Sequence, residues 1–233
     1  AKSEVTYGVD PMHTGAANAI LCRNVSITAN AQDLPERNVV RPFLGTDEQV
    51  VASNHVEISF EVEWSGSGVP GTAPAFSPLL LACAMASTID TGVSVKYDPV
   101  SAMFGSVTMV FNVDGVNHKI TGARGTVSKK IDARGIPKLQ FNFKGLYNTV
   151  ADLSITGVNY SAFVKPVAVN KENTPTVTLF GYPLVLQSAS IDVNNTVTYR
   201  NLPNSEYILM SDRAAQGSLT FEAPKVAEFD VWS

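Results

Sequence analysis

Gly66-Ser67-Gly68-Val69-Pro70-Gly71 has the spacing of a loop that wraps a dinucleotide pyrophosphate. A strand-like segment precedes it and a helix-like one follows. Asp90 stands about twenty residues on, where an acid would hold a ribose. Two features argue against that chemistry. The preceding segment alternates polar and apolar residues, whereas a strand feeding such a loop is buried on both faces. Pro70 and Pro74 remove backbone donors where a phosphate cradle needs them. The loop reads as a flexible turn, and no cofactor is expected.

Other chemistry fares no better. His13, His55 and His118 are far apart, and none has a ligand spacing with another His or Cys, so no metal is expected. No G-x-S-x-G elbow is present. Glu57, Glu61 and Glu63 share one face of a segment, but a glycosidase needs two carboxylates flanking one bond. These three read as a solvated face or, functionally, as an acidic patch that lines a channel or meets a neighbour's basic residues. They are the candidate lumen or inter-subunit surface. Arg124, Lys129, Lys130 and Arg134 are a dispersed complementary set. No catalytic residue is expected, and the chain reads as a non-enzyme.

The elements that must position these residues are strands. Val56–Trp64 alternates strictly, with Val56, Ile58, Phe60, Val62 and Trp64 on one side and the glutamates on the other. Lys138–Lys144 alternates in the same way around Leu139, Phe141 and Phe143. Ser106–Val113 and Val116–Thr121 flank Asp114-Gly115, a two-residue hairpin signal. Further strands are expected at Val25–Thr28, Thr126–Ile131, Thr176–Phe180, Val185–Val193, Thr196–Arg200, Tyr207–Met210 and Ser218–Glu222, with a turn at Asn194-Asn195. One helix is expected, from a Ser77 cap and Pro78 through Leu79–Ala86. This pattern predicts a mainly β, antiparallel two-sheet sandwich or barrel with one flanking α-helix. A single domain over 1–233 is expected, with 1–52 as an N-terminal arm and loop region and 147–171 as a long irregular excursion.

Composition narrows the class. The chain of 233 residues is 45% hydrophobic and only 16% charged, where a soluble domain usually carries about 25%. A surface so poor in charge suits a protein that hides part of it against partners. The net charge of −4 and the lack of a basic run exclude wrapping contact with nucleic acid. Cys22 and Cys83 sit in apolar settings and read as buried free thiols made in a reducing cytosol. No apolar run spans a membrane.

Several segments stand in a fixed order along the chain. They are Val56–Trp64 with Ser65-Gly66-Ser67-Gly68 and Pro74–Ala86; Tyr97-Asp98-Pro99-Val100-Ser101; Asp114-Gly115-Val116-Asn117-His118-Lys119 into Thr121-Gly122-Ala123-Arg124-Gly125-Thr126; and Gly135-Ile136-Pro137 with Phe141-Asn142-Phe143-Lys144-Gly145-Leu146-Tyr147. Val169-Asn170-Lys171-Glu172-Asn173-Thr174-Pro175, Tyr199-Arg200-Asn201-Leu202 and Asp212-Arg213 follow. In that order they resemble the tail tube (major tail) protein family of long-tailed bacteriophages. The resemblance implies a tail-tube-like fold and homo-oligomeric, commonly hexameric, rings stacked into a tube. Genomic DNA would leave the virion through that tube without specific binding. It implies tape measure, terminator and distal tail proteins as partners, a place in the virion tail after synthesis in the host cytoplasm, and a non-contractile, siphophage-type tail. A tail terminator, a capsid decoration protein, or a carbohydrate-binding sandwich displaying Tyr7, Tyr97, Tyr147, Tyr160 or Trp232 are the alternatives. The loops Asp33–Gly45 and Tyr147–Lys171 are the expected ring-to-ring contacts.

Overall fold

The computed structural model describes residues 1–37, 39–40, 42, 44–45, 48–153 and 156–230. In chain order they form β1 (Lys2–Ser3), α1 (Gly15–Asn18), β2 (Arg23–Asp33), β3 (Ser53–Glu63), α2 (Ser77–Leu81), β4 (Met85–Asp90), β5 (Ser94–Pro99), β6 (Val107–Val113), β7 (Val116–Asp132), β8 (Lys138–Tyr147) and β9 (Ala151–Asp152). Then come β10 (Thr178–Leu179), β11 (Tyr182–Pro183), β12 (Leu186–Asp192), β13 (Asn195–Leu202), β14 (Ser205–Arg213) and β15 (Gln216–Phe221). The protein is mainly β, and its strand pairs are antiparallel.

One nine-stranded sheet dominates, joined by three two-stranded ribbons, β4–β5, β10–β11 and β13–β14. The long strand β7 organises it. One edge of β7 pairs first with β6 and then with β12, while the other pairs with β9 and β8. A continuous path therefore runs β15-β12-β7-β8-β3-β2. The two alternating segments meet in register, Ile58 opposite Phe143 and Val62 opposite Leu139. Their apolar side chains enter one core, where Phe60, Phe141 and Phe143 stack within 6.0 Å of one another. Each such pair adds about 0.5–1.5 kcal/mol beyond burial.

The helix is shorter than its sequence suggests. It stops at Leu81, Ala84 turns through φ +57, and Met85 opens β4. Phe76 rather than Ser77 stands at its N-terminus, with no side-chain cap. The run from Leu79 is apolar all round, so it has no one-sided period to favour a longer helix. Tertiary donors also take the carbonyls that a helix would use. Gly125 N donates to Ala82 O, Asn195 Nδ2 to Cys83 O, and Val100 N and Arg213 Nη2 to Ala84 O. Among the described residues there are two short helices rather than one, since α1 forms in the arm under a Thr14 cap.

Other expectations change in the same way. Val116–Thr121 and Thr126–Ile131 are one strand, because Gly122 at φ +58 and a bulge between Thr121 and Arg124 bend β7 without breaking it. Within residues 1–52, β1 joins the main sheet and β2 runs eleven residues, well beyond Val25–Thr28. Trp64, just past the end of β3 at Glu63, is 37% exposed and lines a cavity with the core residues Phe76, Leu80 and Leu139. Cys83 is buried as expected, and desolvation pushes its thiol well up, but Cys22 is exposed. The hairpin at Asp114-Gly115 takes positive φ at both residues, as its sequence requires.

Candidate functional site

Glu57, Glu61 and Glu63 lie on the face of β3 opposite the core, beside Lys144, Gln140 and Lys138 of β8. Each is engaged by a cation of its own chain. Lys144 Nζ donates to Glu57 at 2.8 Å and Lys138 Nζ to Glu61 at 2.9 Å. Arg23 reaches Glu61 at 3.2 Å and Glu63 at 3.9 Å. The Lys144 bond holds Glu57 below the usual carboxylate range, against a desolvation penalty, with His55 helping. For Glu61 desolvation is the largest single influence and raises it, but Lys138, Asn24 and Arg23 together outweigh it, so its carboxyl also titrates low. The patch is therefore charge-balanced rather than acidic. The expected basic set does not supply the balance. Arg124 binds carbonyls, Lys129 lies over Trp64, Lys130 meets Asp132, and Arg134 occupies a turn.

The ribbon β13–β14 crosses this polar face. Asn195 and Val197 help enclose a polar cavity of about 400 Å3 with Glu57, Asn142 and Lys144. Further along, Tyr199 stacks on His55 with centroids 4.5 Å apart, and His55 Nε2 meets Glu57 at 3.3 Å. At the ribbon's base, Arg213 donates to Asn195 Oδ1, Ala84 O and Val100 O. Arg124 donates to Ile208 O, Phe104 O and Gly105 O and lies 4.7 Å above the Tyr7 ring. Glu4 accepts from Ser106 Oγ, Thr108 Oγ1, Gly122 N and Gly8 N, all at 2.6–2.8 Å. Sequence reasoning missed this fastening. Its partners lie up to 201 residues apart, and no local spacing announces them.

The G-x-G-x-x-G loop has a packing explanation. A side chain at Gly71 would strike the backbone of Asp90 to Gly92 at the tip of β4–β5, and one at Gly68 would touch Val164. Glycine is needed there for close approach, as at other crowded backbone crossings. Asp90 belongs to that hairpin. The three histidines fall on the arm, β3 and β7. Among the described residues no group of three or more His, Cys, Asp or Glu gathers as a metal site. The tyrosines form no shared platform. Tyr7 lies under Arg124, Tyr97 lines the glycine-loop cavity, Tyr147 packs on the core and Tyr160 borders another cavity. Trp232 lies outside the described residues. In the two expected contact loops, residues 38, 41, 43, 154 and 155 do so as well.

The outer strands β2 and β15 each leave one edge without a partner among the described residues. β15 contains no charge and no proline, and β2 carries charge only at Arg23 and Asp33. Folded monomers normally guard such edges with charge or proline.

A β scaffold with balanced charge, apolar surface and unguarded edges is that of a structural protein that assembles. The phage tail tube protein family model matches residues 1–232, and the chain belongs to that family. It is a structural, non-enzymatic component of the virion tail that polymerises into the tail tube. No curated protein matches the sequence.

Proposed function

We propose that copies of this chain join edge to edge, β15 of one against β2 of the next, and close into six-fold rings that stack head to tail. The observation that carries this reading is the unguarded β15 edge. A six-residue strand without charge or proline offers a neighbour a ready ladder. Bulges in β2 and β7 supply the curvature that closure requires. In the ring the main sheet and its crossing ribbon act as the two layers of a sandwich.

The polar face bearing Glu57, Glu61 and Glu63 is assigned to the wetted lumen wall or to the subunit boundary. Arg23 supports the boundary, because it sits half-exposed on the edge strand while bridging Glu61 and Glu63. A wall whose acids are already neutralised lets DNA slide without specific binding. The loops at 33–45 and 147–171 meet the next ring. The tail is of the non-contractile, siphophage type, and tape measure, terminator and distal tail proteins contact its inside and ends. Electron microscopy of the purified protein across a concentration series tests the arrangement. Hollow filaments of stacked six-fold rings are expected. Rings that never stack would overturn the head-to-tail part, and filaments without rings would overturn edge closure.

A further inference from the structure

Phe180 stands at the tip of the β10–β11 ribbon, in a two-residue turn with Gly181. Both residues have positive φ, +48° and +84°. Asparagine or aspartate normally fills the first of these positions, and a bulky aromatic there is an outlier. The side chain is 93% exposed. The fold nonetheless secures its mount. Leu184 N donates to Val177 O across the ribbon, and Tyr182 stacks on Phe229 at 4.8 Å. Strained positions persist where function uses them, and rigid exposed aromatics are the anchors of interfaces.

The chain also carries a matching hole. An apolar cavity of about 520 Å3 opens beside the arm and reaches the core side chains Ile58, Phe60, Leu79 and Met109. Its described lining ends at Tyr160, so knob and hole belong to different parts of the chain. Two further cavities among the described residues suit the knob less well. One has Lys129 over its Trp64 wall, and one is polar. Charge also matches. The sequence from Asn173 to Ile191 contains no ionisable acid or base other than Tyr182, and the described cavity lining holds no aspartate, glutamate, lysine or arginine; its Ala1 amino group and His13 are engaged by Asn18 O and Asp10.

We infer that Phe180 of one copy seats in this cavity of a second copy. A knob and a hole at different places make a heterologous contact, which propagates instead of closing on itself. The inference rests on polymerisation of the chain and is independent of edge pairing.

Two measurements test it, with the unsubstituted protein alongside. Phe180→Ala is expected to keep the parent's melting temperature yet require at least about tenfold more protein to form tubes, with Phe180→Leu intermediate. Phe180→Cys, oxidised under assembling conditions, is expected to give a ladder of disulfide-linked oligomers. Its partner is Cys22, which lines the cavity, and Cys22→Ser abolishes the ladder, since Cys83 is fully buried. Tubes from Phe180→Ala at the parent's concentration, or Phe180→Cys tubes without a Cys22-dependent ladder, overturn the inference alone. A parent that forms no oligomer at any concentration overturns it together with the tube-forming reading.

Discussion

The hydroxyl of Tyr7 accepts a hydrogen bond from the Ile208 amide at 2.7 Å, joining residues 201 positions apart. Ile208 is fully buried, so this amide has no access to water. Desolvation raises the Tyr7 pKa, with the Ile208 bond and Arg124 opposing it, and the phenol stays protonated at neutral pH. Tyr7→Phe keeps the ring under Arg124 but orphans the amide. The expected cost is about 1–3 kcal/mol, read as a melting point lowered by several degrees. An unchanged melting point would show that the hydroxyl does not support β14.

The base of the same ribbon is expected to be just as sensitive to guanidinium geometry. Arg213 serves three acceptors on three segments at 2.9–3.0 Å. A lysine cannot reproduce that fork. Arg213→Lys should therefore destabilise nearly as much as Arg213→Ala, by about 1–3 kcal/mol in chemical denaturation. Full rescue by lysine would reduce Arg213 to a simple charge.

Glycine substitutions separate crowding from backbone strain. A β-carbon at Gly145 would land on Ile120 Cγ2, with Ala123 Cβ and Thr121 O both at 3.2 Å. Gly145→Ala should cost at least about 1–3 kcal/mol through overpacking. Gly115 has open space around it but φ +85, so Gly115→Ala should cost about 1 kcal/mol. Equilibrium unfolding of the two variants side by side checks the order, and the reverse order would refute it.

Acid should loosen the polar face in a defined direction. Glu57 and Glu61 titrate below the ordinary glutamate value in the folded chain, and Asp10 below that of aspartate. A carboxylate shifted in this sense contributes stability that is fully present above its unfolded pKa, about 4.3 for glutamate and 3.9 for aspartate. That contribution is lost as pH falls through the lower folded value. Stability should therefore be flat in pH from neutral to about 5 on account of these groups and decline below about 4. Glu57→Gln should flatten part of that decline, and a profile identical to the parent's would remove Glu57 from it. A double-mutant cycle on Glu57 and Lys144 should return only about 0.2–1 kcal/mol, because both side chains are over one-third exposed.

Guarding the β15 edge should separate folding from assembly. Ser218→Lys with Thr220→Lys places charge on a surface strand, where substitutions usually change stability by under about 0.5 kcal/mol. The doubly substituted protein should melt like the parent and form few or no tubes in electron micrographs. Normal tubes would place the subunit contact elsewhere.

The strands that could be read in the sequence are those whose two faces meet different surroundings. Val56–Val62 and Leu139–Phe143 alternate because one side is core and the other is wet, and even their pairing was latent in glutamates on one and lysines on the other. The helix misled because Ala82 to Ala84 are fixed by Gly125, Asn195, Val100 and Arg213, none of them nearby in sequence. β4 and β5 escaped notice because they form a ribbon outside the main sheet, with surface that alternates weakly. The glutamate face was legible as polar, but its charge balance was not, since Arg23 comes from another strand. Glu4, Tyr7 and Arg124 gave no signal because a network spanning more than 100 residues has no local period.

The two-sided pairing of β7 also sets a timetable for synthesis. β7 is complete at Asp132, yet its outer edge near Ser128 to Asp132 waits for β12, which ends at Asp192. At about 5–20 residues per second, those roughly 60 residues occupy the ribosome for about 3–12 s. β15, the last-made strand of the sheet, can settle only after β12 is in place. The β15 edge thus comes into existence late, so a half-made chain carries only one of the two edges assigned to polymerisation.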